Sequence, residues 1–102
     1  MTCAFAGYEL TMEAYKKATQ IKPDFAAAYN NLGVGYGNIS RHQEAIEAFK
    51  QAIHLKPDNA GAHYFLAKSY LLIGDKESAL EEYKILKSID DDLANDLFES
   101  LK

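Results

Sequence analysis

Apolar positions along the chain recur at helical spacing. Between Phe25 and Asn38, Tyr29, Leu32, Gly33 and Tyr36 fall at i, i+3, i+4 and i+7. Between His42 and Leu55, Ala45, Ile46, Phe49, Ala52 and Ile53 form a second stripe. Each stripe predicts an amphipathic helix with one face turned to a core. Asn38-Ile39-Ser40, Lys56-Pro57-Asp58 and Ile73-Gly74-Asp75 interrupt the pattern. Proline after a helix end, followed by a capping Asp or Asn, stops one helix and starts the next. A final helix is expected over 91–102, with Leu93, Ala94, Leu97, Phe98 and Leu101 on one face. Asp90, Asp91 and Asp92 at its start complement the partial positive charge of a helix N-terminus.

The pattern repeats with a period of 34. Residues 23–56 laid over 57–90 give 10 identities in 34 positions, among them Pro23/Pro57, Leu32/Leu66, Tyr36/Tyr70 and Ala45/Ala79. The phase extends backwards through Tyr15, Phe49 and Tyr83. A fixed period of this size means stacked helical hairpins that share one continuous core.

Tyr29-x2-Leu32-Gly33-x2-Tyr36, then Ala45-x3-Phe49, then Pro57, resembles the tetratricopeptide repeat, with Tyr in place of the usual Trp. The second copy reads His63-x2-Leu66-Ala67-x2-Tyr70, then Ala79-x3-Tyr83, with Asp91 where Pro is expected. The resemblance implies an all-α fold, a right-handed superhelix of stacked helix–turn–helix repeats. It divides the chain into a half-repeat (1–22), two full repeats (23–56 and 57–90) and a capping helix (91–102). Leu86, where Ala18 and Ala52 stand in the other copies, and Asp91 both fall where the array stops. That ending looks like the C-terminal end of many bacterial members of the family.

Composition narrows the function. Eleven basic residues against 15 acidic ones give a net charge of −4. Residues 1–59 balance, so the whole excess lies in 60–102. An acidic chain lacks the basic field that nucleic acid or an anionic membrane surface requires. No apolar run is long enough to span a membrane. One cysteine, Cys3, allows no intrachain disulfide. A reducing, cytoplasmic compartment is the expectation.

Candidate chemistry is sparse. His42, His54 and His63 do not pair at i+3 or i+4 and are not spaced as zinc ligands. His63 stands in the phase of Tyr29 and reads as a half-buried packing residue. Gly33-Val34-Gly35-Tyr36-Gly37 lies inside a helix pattern, not after a strand, so it is no phosphate loop. Glu44, Glu47, Glu81 and Glu82 read as a solvated helix face, with Glu47–Lys50 and Glu81–Lys84 at i, i+3. No catalytic residue, metal site or cofactor is expected, and the chain is read as non-enzymatic.

The resemblance places the binding surface on the first helix of each repeat, along a concave groove. The candidates are Asn30, Asn31, Val34 and Asn38 in one repeat and Tyr64, Lys68, Leu71 and Leu72 in the next. Gly61 and Phe65 belong to the same set. Leu71 and Leu72 form an apolar interface patch, unless Leu71 packs under the capping helix. The cations by which chaperone-binding members hold a peptide carboxylate are replaced here by Asn30, Gly61 and Phe65, so that clamp is not expected.

The leading expectation is a protein-interaction module that takes a peptide or partner helix in the groove. The alternative is a homodimeric scaffold, because the half-repeat leaves Leu10, Met12 and Tyr15 without their own partner helix. A third reading makes the chain the C-terminal part of a larger protein.

Overall fold

The computed structural model describes residues 13–22 and 24–102. Among the described residues it contains six helices and no strand. They are α1 (13–21), α2 (Ala26–Asn38), α3 (His42–Leu55), α4 (Ala60–Leu72), α5 (Lys76–Ile89) and α6 (Asp91–Leu101). α2 pairs with α3 and α4 with α5 as antiparallel hairpins; α3 packs on α4, and α6 closes against α4 and α5. This is an all-α helical repeat fold.

Small residues set the helix separations. Ala45, Ala52, Ala62, Ala67 and Ala79 are all fully buried. At Gly33 a Cβ would lie 2.6 Å from Cε1 of Phe49, so hydrogen is the only side chain that fits as the ring now lies. Leu32, Tyr36, Ile46, Phe49 and Leu66 form a first apolar cluster, with Tyr15 of α1 packed against it. Ala67, Leu86, Ala94, Leu97 and Leu101 form a second, which joins α4, α5 and α6. Leu86 therefore has its larger side chain where α6 supplies the surface to cover it.

The ends of the helices differ between the hairpins. Asn59 caps α4 by accepting from the Ala62 N–H at 3.2 Å, and Asp75 caps α5 by accepting from the Ser78 N–H at 3.1 Å. Their counterparts 34 residues earlier, Phe25 and Arg41, supply no side-chain cap to α2 or α3. Both hairpin turns need a left-handed residue. Gly74 supplies it in the second at φ 84°, whereas Ser40 is held there in the first at φ 65°. Asp90 caps α6 through the Leu93 N–H at 3.1 Å.

A candidate protein-interaction groove

Two adjoining clefts lie along α4. The first, about 200 Å³, is lined by Val34, Gly37 and Asn38 from α2, His42 and Phe49 from α3, and Phe65, Lys68, Ser69 and Leu72 from α4. The second, about 220 Å³, is lined by Lys68, Leu71, Leu72 and Ser100. Lys68 and Leu72 belong to both. Leu72 is 67% exposed and Phe65 38% exposed, a large apolar display for a helix that also carries core residues.

Aromatic side chains build the floor. Phe65 stacks on Phe49 at 5.9 Å between centroids, with 15° between the planes, and meets Tyr64 edge-on at 5.4 Å. The Lys68 ammonium lies 5.4 Å from the Tyr64 ring centroid. Among the described residues Lys68 makes no ion pair. The Tyr64 hydroxyl donates to Asp96 of α6. That bond, then burial and the Asp96 charge, hold the phenol above the usual tyrosine range.

The sequence candidates divide by position. Val34, Asn38, Lys68, Leu71 and Leu72 line the clefts, although Val34 also packs on the first cluster and Leu71 on the second. Leu71 is half-buried near α6, and Leu72 carries the open part of the pair. Tyr64 is tied to Asp96 at the edge of the second cluster. Asn31 is exposed outside both clefts. Asn30 is half-buried, and its Oδ1 has no hydrogen-bond partner among the described residues. Of the self-association candidates, Tyr15 is half-buried against the first cluster. Leu10 and Met12 lie outside the described residues.

A groove drawn from the first helices alone misses His42 and Phe49 of α3 and Ser100 of α6, and Ser69 of α4 lines the cleft outside the expected set. His42 is the first residue of α3, so its side chain enters at the end of the cleft. The solvated-face reading of Glu82 is corrected. Glu82 Oε1 lies 2.6 Å from His63 Nδ1, and its side chain is only 15% exposed. His63 is buried, not half-buried, and its Nε2 donates to the Pro57 carbonyl at 2.8 Å. The pair is a structural staple between α4 and α5. Glu81–Lys84 forms as an exposed pair at 3.9 Å. Among the described residues no group of three or more His, Cys, Asp or Glu side chains could hold a metal ion, and no helix is long and apolar enough to cross a membrane.

Stacked antiparallel hairpins, small residues at the helix crossings and an aromatic-floored cleft between neighbouring hairpins define a helical repeat protein. A family model for the tetratricopeptide repeat matches residues 40–101, and a second, for the TPR repeat, matches residues 8–39. The chain belongs to the tetratricopeptide repeat family.

Solved structures give the same fold. The chain is similar to MamA MSR-1 C2, with 30% identity over 88% of this chain and 52% of that one, at a TM-score of 0.79. It thus spans about half the length of that MamA chain. It is similar in fold to the TPR2B domain of yeast Sti1 in a pHsp70 complex, at TM-score 0.87 and 18% identity, over 98% of this chain and 86% of that one. The first TPR of Spaghetti (RPAP3), bound to an HSP90 peptide, aligns at TM-score 0.88 and 14% identity, over 98% of this chain and 81% of that one. No curated protein matches the chain in sequence.

Proposed function

We propose that this chain is a non-enzymatic protein-interaction module that takes an extended peptide or a partner helix along the clefts on α4. The observation that carries the reading is the pair of adjoining clefts sharing Lys68 and the exposed Leu72. Leu72, Phe65 and the exposed part of Leu71 would bury apolar side chains of the partner, which is where most binding energy resides in such contacts. Asn38 and Lys68 would hydrogen-bond its backbone or polar groups, while Asn30, Asn31, Val34 and Tyr64 frame the surface. The Sti1 and Spaghetti structures support the reading because, on the same fold, the first is a pHsp70 complex and the second is bound to an HSP90 peptide. In this reading 23–56 and 57–90 act as full repeats, 1–22 as a half-repeat and 91–102 as the cap.

Leu72→Asp places a charge at the centre of the shared surface without touching the core. Partner capture should be lost with helicity unchanged. Undiminished capture by that variant would remove the proposed site.

A further inference from the structure

A third cleft, of about 250 Å³, opens on another side of the first hairpin. Tyr29, Leu32 and Tyr36 form one wall, a stripe of α2 distinct from Val34 and Asn38. Glu44, Glu47, Ala48 and Gln51 of α3 form the other. Leu32, Tyr36 and Ala48 are buried, whereas both glutamates are exposed and make no ion pair among the described residues. We propose that this cleft binds a cationic side chain, lysine or arginine, presented by a protein partner.

The chemistry selects that ligand. Two carboxylates repel an anion, and a neutral apolar group would desolvate them without compensation. A cation is attracted both by the carboxylates and by the electron-rich ring faces, while its methylene stem rests on Leu32 and Ala48. The Tyr36 ring already carries one such charge, because the Lys16 ammonium of α1 lies 5.9 Å from its centroid.

The second hairpin shows what the same place does when it is filled from within. The counterparts of Tyr29 and Ala48 are His63 and Glu82, which meet there as the buried imidazole–carboxylate staple. In the first hairpin Ala48 replaces that carboxylate and leaves the space open, and the acidic groups stand at Glu44 and Glu47 on the rim. The space that His63 and Glu82 fill in the second hairpin is therefore open here to a group from outside.

The test is an NMR titration of the ¹⁵N-labelled full chain with Nα-acetyl-arginine amide, set beside the uncharged citrulline analogue. Saturable shifts should concentrate at Tyr29, Tyr36, Glu44 and Glu47, weaken with added salt, and be absent for citrulline. The double variant Glu44→Gln/Glu47→Gln alters only exposed side chains and should lose the response while keeping the wild-type helical spectrum. Lys16→Ala, which frees the Tyr36 face, should strengthen it. Leu72→Asp should leave it unchanged, separating this site from the groove on α4. Equal shifts with citrulline, shifts that survive the double variant, or no saturable shift at all would each overturn the proposal.

Discussion

The hairpins α2/α3 and α4/α5 share a 34-residue pattern yet are secured differently. In the second, Asn59 and Asp75 cap the helices, Gly74 relaxes the turn, and His63 and Glu82 staple the pair from inside. In the first, Phe25 and Arg41 leave the helix starts without side-chain caps, Ser40 holds the left-handed turn residue, and Tyr29 faces Ala48 across an open cleft. The repeat pattern specifies the fold twice, but the polar devices that lock it are concentrated in one copy. Local stability in such proteins varies along the chain, and the less secured unit opens first. In the proposed groove, Phe65, Lys68 and Leu72 stand on the hairpin with more polar locks, and Val34, Gly37 and Asn38 on the one with fewer.

The largest expected effect comes from breaking the staple. His63→Ala leaves the Glu82 carboxylate half-buried without its partner, and should destabilise the protein by about 3 kcal/mol in urea unfolding. The double variant His63→Tyr/Glu82→Ala, which copies Tyr29 and Ala48, should recover most of that loss. If it recovers none, the two hairpins do not share the equivalence drawn between these positions.

Overpacking the first hairpin comes next. Gly33→Ala sets a methyl against the Phe49 ring, where the buried neighbours leave it little room to move, and should cost about 2 kcal/mol. The turns should respond with opposite signs. Ser40→Gly relieves the left-handed backbone and should raise stability by about 0.5–1 kcal/mol, whereas Gly74→Ala should lower it by about 1 kcal/mol. Thermal unfolding of both variants checks the pair. Asn59→Ala removes a cap and should cost about 1 kcal/mol, while Phe25→Ala removes none.

The smallest effect is in the acid limb. The Ser78 hydroxyl donates to the Asp75 carboxylate at 2.7 Å, and this bond, with that from the Ser78 N–H, holds the carboxyl below the usual aspartate range. A carboxyl lowered in the folded state stabilises fully above its unfolded value of about 3.9, and that contribution is lost as pH falls through the folded value. Asp75→Asn should therefore flatten the acid dependence of stability below about pH 4. An unchanged slope would show that Asp75 plays no part in it.

Much of the fold was legible in the residues. The stripe from His42 to Leu55 coincides with α3, and α2 begins at Ala26, one residue past the expected Phe25. Hydrophobic period and proline placement carry that information directly. The cleft's lining was legible in part, because Val34, Asn38, Lys68 and Leu72, which line it, are first-helix positions that the family resemblance implies. His42 and Phe49 were not, since they enter from the second helix and depend on how two helices cross. The His63–Glu82 staple escaped for the same reason. Its signal is a paired change, Tyr29 to His63 and Ala48 to Glu82, at positions 19 apart in both copies. Read one residue at a time, it looks like a packing histidine and a surface glutamate.

Native-state hydrogen exchange measured helix by helix tests the unequal hairpins most directly. The inner-turn amides of α4 and α5 should exchange at the rate of global unfolding. Those of α2 and α3 should exchange faster, through a separate local opening that Ser40→Gly suppresses. Equal protection in the two hairpins, or greater protection in α2 and α3, would contradict this.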